Sequence, residues 1–172
     1  MRNPFRRIKE LVEEPIVDSR SLAELCDEYI AFLGPYDRNR AEVWRLKEEL
    51  YKLMGEENIQ YIARKDTLLE RSYSDVISIS PLDRLGPDVF SEDTKGAHLI
   101  PLVDQLLEAD GAHERNEEAR DKLALPLARA AKREGKAAGY KCRFIYRGYG
   151  FSYYLSRGSA GVSVDHIADL DG

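Results

Sequence analysis

The stretch Gly139–Arg157, GYKCRFIYRGYGFSYYLSR, constrains the fold more than any other part of the chain. Seven of the sixteen aromatic residues fall between Tyr140 and Tyr154. The run reads as two strands, Tyr140–Arg147 and Gly150–Arg157. A two-residue turn at Gly148-Tyr149, with glycine first, suits the strand twist of a hairpin. That register pairs Tyr146 with Phe151, Phe144 with Tyr153 and Cys142 with Leu155, and it yields one uniformly apolar face. The opposite face carries Lys141, Arg143, Ile145, Arg147, Ser152, Tyr154 and Ser156. A three-residue turn would set Arg147 opposite Phe151 and mix the two faces. An isolated hairpin is marginal in water, so the aromatic face is expected to pack on helices.

The same region is electrically distinct. Arg129–Arg157 holds eight Lys/Arg and a single acid, Glu134, which is +7 inside a chain of net charge −5. The remainder therefore carries −12. A separation of this kind points to a localised anion-facing surface, and a net negative chain is not a general coat for nucleic acid. Arg129, Lys132, Arg133 and Lys136 follow one another at helical spacing and make one basic face.

Helices are expected through much of the rest. Pro4–Glu14 is a short amphipathic candidate with Phe5, Ile8 and Val12 on one face. Ser21–Leu33 carries the strongest start signal, Ser21-Leu22-Ala23-Glu24, in which serine and glutamate satisfy each other's orphan amides. Leu22, Leu25, Cys26, Tyr29 and Leu33 form its stripe. Gly34 and Pro35 are expected to stop it, Asp37 to cap a second helix ending near Met54, and the pair to form an antiparallel hairpin. Ile59–Ile62 and Val76–Ile79 read as short strands and Thr67–Arg71 as a helical turn capped by Asp66. Ser80–Gly96 is rich in proline, glycine and charge and reads as a loop. From Ala97 the helical period returns, interrupted at Asp110-Gly111 and again by Pro126, beyond which a basic helix runs to about Gly135.

Two resemblances arise from these segments. Arg147–Tyr154, RGYGFSYY, resembles the aromatic octamer of RNA-recognition motifs, with Ser152 in place of an aliphatic residue. In that family the octamer is a central strand whose aromatics stack on bases. The chain upstream, where a second aromatic strand belongs, is helical and charged, and the hairpin register turns Phe151 and Tyr153 inward. The RNA-recognition fold is therefore set aside. In layout alone, 97–157 is similar to a winged helix, which would place Arg129, Lys132 and Arg133 in a groove or on phosphates and Arg147 and Tyr149 at the wing tip.

The fold expected is α+β and mainly α-helical, with an N-terminal helical hairpin, further helices and a C-terminal antiparallel β-hairpin. A single domain over 1–172 is expected. A subdivision would give a helical part at 1–80, a loop at 81–96, helices and hairpin at 97–157, and a mobile tail at 158–172. With 43% hydrophobic residues the chain can build a core, and 33% charged residues imply a well-solvated surface. Cys26 and Cys142 read as buried thiols in a reducing compartment. The basic N-terminal segment lacks the apolar core of a signal peptide, and no apolar run reaches membrane-spanning length, so an intracellular location, cytoplasmic or nuclear, is expected without membrane association.

No phosphate loop, nucleophile elbow, dinucleotide fingerprint or zinc spacing occurs. His98 opens an apolar helix and His113 lies in a charged segment. Val164–Asp171 offers oxygens and an imidazole without any established ligand spacing. No catalytic residue, metal site or cofactor is assigned. The leading functional reading is non-catalytic binding of nucleic acid, of unspecified type, or of another anionic surface. Its candidate contacts are Arg129, Lys132, Arg133, Lys136, Lys141, Arg143, Arg147, Tyr149 and Tyr154. The first alternative is a protein-interaction or assembly protein that meets its partner through the helical part. The second is an enzyme whose site is assembled from distant residues.

Overall fold

The computed structural model describes residues 18–84 and 96–167. Two long helices, α1 (Leu22–Glu56) and α2 (Ile100–Arg133), accompany two three-stranded antiparallel sheets. The first sheet is β1 (Tyr61–Arg64), β2 (Thr67–Arg71) and β3 (Ile77–Pro81); the second is β4 (Phe144–Tyr146), β5 (Tyr149–Ser156) and β6 (Ser159–His166). The fold is thus α+β and mainly helical. The expected helix at Pro4–Glu14, most of the loop at 81–96 and the last acidic residues of the chain lie outside the described residues.

The start of α1 follows its sequence signal. Ser21 Oγ accepts from the Glu24 amide at 3.2 Å, and Glu24 accepts from the Ser21 amide at 2.7 Å, closing a reciprocal cap. Three expected interruptions are absent. α1 runs for 35 residues through Gly34 and Pro35, so no turn separates two N-terminal helices. α2 runs for 34 residues through Gly111 and Pro126, so the helix–helix–helix part of a winged helix is not formed. The physical reason lies in what each proline disturbs. A proline inside a helix leaves the carbonyl four residues earlier without a donor. Those residues, Ala31 and Lys122, are exposed, and water can serve their carbonyls. Pro101, by contrast, sits in the first turn of α2, where no bond is lost.

The chain forms two compact units. The second in chain order of closure, Ile30–Arg120, holds the greater part of each helix and the β1–β3 sheet. Its core joins Val43, Leu46, Leu50 and Met54 of α1 to Ile62, Leu69 and Ile77 of the sheet and to Val103 and Leu106 of α2. Thr67–Arg71, read from sequence as a helical turn, is the central strand instead: Lys65-Asp66 makes a two-residue turn with Lys65 at φ 55°, and Leu69 lies opposite both Ile62 and Ile79. Fully buried Leu69 gains more on this sheet than a solvated helical turn could give.

The other unit comprises, among the described residues, 18–29 and 121–167. Leu25, Cys26 and Tyr29 of α1, Leu123, Leu127, Ala128 and Ala131 of α2, and Phe151 and Tyr153 of β5 are among its buried side chains. Tyr29 meets Phe151 edge to face at 6.0 Å and donates to the Val162 carbonyl at 3.3 Å. α2 closes at Gly135, with the Lys136 amide donating to the Ala131 carbonyl at 2.9 Å and the Gly135 amide to that of Lys132 at 3.1 Å.

The hairpin register differs from the expected one. Phe144 pairs with Phe151, Ile145 with Gly150 and Tyr146 with Tyr149, so the turn is Arg147-Gly148. Both turn residues have positive φ, 47° and 82°, the geometry that matches strand twist when both central positions are left-handed. The shift from the expected pairing is two residues, an even number, so each side chain keeps its expected face. The aromatic pair across the strands is Phe144 on Phe151, stacked at 5.4 Å, and not Phe144 on Tyr153. Ser159–His166, read as part of a tail, is β6, paired with β5 along its whole length from Tyr149–His166 to Ser156–Ser159. Cys142, expected to be buried, is exposed, because regular pairing on β4 begins only at Phe144.

Candidate nucleic-acid interface

Among the described residues, the unit made of 18–29 and 121–167 holds ten Lys/Arg against seven acids, a net +3, while 30–84 and 96–120 hold eleven against sixteen, a net −5. The charge division noted in the sequence therefore coincides with the division into units. All nine candidate contact residues fall in the positive one.

Arg129, Lys132 and Arg133 lie on the last turns of α2 at i, i+3 and i+4, so they share a face. Lys132 and Arg133 are exposed and Arg129 is half-buried. Lys136 lies beyond the helix, after its closing turn, with its ammonium 5.8 Å from the centre of the Phe144 ring. Tyr153 donates its hydroxyl proton to the Lys136 carbonyl at 2.5 Å. These two contacts tie the basic helix end to the β4–β6 sheet. Among the described residues, Arg129, Lys132, Arg133, Lys136 and Lys141 form no ion pair. Arg133 is nonetheless one of the charges acting on Asp18. Asp18 is held down at about 2, first by the hydrogen bond from the Arg20 side chain and then by that from the Arg20 amide.

Arg143 and Arg147 are placed differently. Arg143 pairs with Asp165 of β6 at 3.1 Å, and Arg147, at the hairpin turn, pairs with Asp27 of α1 at 3.2 Å. Asp27 also accepts from the Tyr146 hydroxyl at 3.1 Å. Burial first and that bond second push the Tyr146 phenol above its ordinary range. Both arginines are thus partly neutralised at home. Arg147 is not a free wing tip.

The two candidate tyrosines also part company. Tyr149 points to the aromatic face and meets His166 edge to face at 5.2 Å. Tyr154 lies on the other face of β5, 44% exposed, with its ring 6.0 Å from that of Tyr140, itself 73% exposed. Beside them opens a cavity of about 230 Å³. Ser152 and Ser163, cross-strand partners, lie in its wall together with Gly161. Tyr140 was not among the sequence candidates. The bond that reveals it, from the Gly139 amide to the Tyr153 carbonyl at 2.8 Å, joins the segment before β4 to β5 and is invisible to pattern reading.

Among the described residues no group of three or more His, Cys, Asp or Glu could hold a metal ion, and no helix is long and apolar enough to cross a membrane. His98 bonds Glu57 at 2.5 Å, and His113 packs on Tyr36 with ring centres 4.8 Å apart. No family model matches the chain, and neither the curated proteins nor the solved structures compared with it include a match.

Proposed function

We propose that the protein binds nucleic acid without catalysis, using the basic end of α2 and the adjoining segment to contact phosphates. One observation carries this reading. Five cations of the positive unit, Arg129, Lys132, Arg133, Lys136 and Lys141, have no ion-pair partner among the described residues, in a chain whose other unit has excess acid. Cations placed for the fold's own stability would be matched internally, as Arg143 and Arg147 are. Phosphate contacts need no base sequence and dominate affinity through release of condensed counterions.

The test is a salt titration of binding to duplex DNA, single-stranded DNA, duplex RNA and single-stranded RNA. The double variant Lys132→Ala, Arg133→Ala should weaken binding. It should lower the slope of log affinity against log salt by up to about two, roughly one per lost phosphate contact. Its thermal midpoint should barely change, since both side chains are exposed. Absence of binding to all four ligands at low salt would overturn the reading. The assembly role would then take its place, through a surface such as that of Trp44, which is 53% exposed.

A further inference from the structure

We infer that the cavity beside Tyr140 and Tyr154 receives a single unpaired nucleobase, so that the favoured ligand is a single strand. This inference rests on the nucleic-acid reading above and names the ligand class of that same unit. Pockets for drug-sized ligands run to roughly 300–1,000 Å³. A cavity of about 230 Å³ suits one ring system and little more.

Among the described residues, the cavity wall includes no charged side chain. Its polar groups include the hydroxyls of Ser152 and Ser163, each able to donate and accept. Ser152 is only 4% exposed. A base edge, which alternates donors and acceptors, would pair with these hydroxyls, whereas an alkyl chain would not. Two aromatic rings, Tyr140 and Tyr154, stand at the mouth with large exposed areas. Every base has a π-face to lay against such rings, whatever its sequence.

Tyr154 lies directly opposite Gly161 in the β5–β6 register. A Cβ on residue 161 would fall 2.0 Å from Tyr154 Cε1 and 2.8 Å from its hydroxyl oxygen. The ring therefore occupies the space that only glycine leaves open, flat against the backbone of β6. Its orientation is fixed before any ligand arrives, which reduces the ordering cost of binding.

The experiment compares three probes of equal length at fixed salt: a single-stranded oligothymidylate, the same strand with abasic sites throughout, and a duplex. The protein used is the full chain, as wild type and as Tyr140→Ala, Tyr154→Leu and Ser163→Val. Tyr140 is largely exposed, so its variant should keep its melting temperature and report on binding alone. The wild type should prefer the base-bearing strand to the abasic one by about 5- to 150-fold, the range that a stacked base contributes. Tyr140→Ala and Tyr154→Leu should lower affinity for the base-bearing strand toward the abasic value. They should leave abasic binding and the salt slope unchanged. Equal wild-type affinity for base-bearing and abasic strands would overturn the pocket while leaving phosphate binding intact. Preference for the duplex would overturn it as well. Failure to bind any probe would remove both readings together, and saturable binding of a tyrosine- or tryptophan-containing peptide at the same residues would then assign the cavity to a protein partner.

Discussion

Cys26 and Cys142 show how little a residue's identity decides by itself. Cys26 is fully buried on α1, and burial pushes its thiol up to about 12. Cys142 is exposed ahead of β4. A neutral alkylating reagent at pH 8 should therefore modify Cys142 readily and Cys26 only on unfolding, which mass spectrometry of the labelled peptides would read. The same burial couples Cys26 to pH. Below the ordinary thiol value of 9.0 both folded and unfolded chains keep the proton, so the native preference for the neutral thiol is fully present. As pH rises from 9.0 toward 12 the unfolded chain ionises first, and that contribution is lost. Cys26→Ala should flatten the fall of stability over this window without abolishing it, because the raised Tyr51 and Tyr146 phenols act in the same direction. An unchanged alkaline profile would mean that Cys26 is not desolvated. At this scale the sequence was partly legible. The apolar stripe around Cys26 spoke for burial, whereas the apolar neighbours of Cys142 misled, because a strand's exact start depends on pairing partners that lie elsewhere in the chain.

Among the elements, local signals proved strongest where one interaction closes on itself. The Ser21–Glu24 cap needs only residues three apart, and it is formed as the spacing implies. Breaker residues were weaker guides. Gly34, Pro35, Gly111 and Pro126 all lie within continuous helices. Their intrinsic penalties are real, but Val43 beyond Pro35, Leu123 beyond Gly111 and Leu127 beyond Pro126 are buried, and packing outweighs propensity. Pro126 offers a direct measure. It lies between Leu123 and Leu127, both buried. Pro126→Ala restores a backbone donor and removes a penalty of roughly 3 kcal/mol, part of which proline recovers by stiffening the unfolded chain. The variant should be more stable by about 1–3 kcal/mol in urea titration with an unchanged slope. A loss of stability would show that the proline ring or a bend at that point is needed to seat Leu123 and Leu127. β6 carries a signal in its sequence: Arg157-Gly158 makes a tight turn, and Val162 and Val164 then alternate with Gly161, Ser163 and Asp165. The true hairpin turn was harder to see, since it requires a non-glycine residue, Arg147, at φ 47°, where glycine-first turns look cheaper.

For the molecule as a whole, charge is unevenly shared between the units, +3 in one and −5 in the other among the described residues. Sequence revealed the excess of cations at 129–157 but not that 18–29 and 121–167 share a unit, because contacts such as Tyr29–Phe151 span more than a hundred positions. The partition has a consequence for binding. On the proposed reading, a polyanion drawn to Lys132 and Arg133 is at the same time repelled by the acids of Ile30–Arg120. At 0.15 M salt the screening length is about 8 Å, and distant acids count for little. At 0.01 M it is about 30 Å, and repulsion between separated charges is screened far less. Neutralising exposed acids of the negative unit, as in the triple variant Glu48→Gln, Glu114→Gln, Glu118→Gln, should therefore raise affinity for a single-stranded oligonucleotide several-fold at 0.01 M salt and hardly at all at 0.15 M. The gain should appear chiefly in the association rate, where long-range fields act. Stopped-flow mixing at the two salt concentrations would measure it. An equal gain at both would place one of the three glutamates in direct contact with the ligand, and no gain at either would show that the negative unit does not influence the approach of a polyanion.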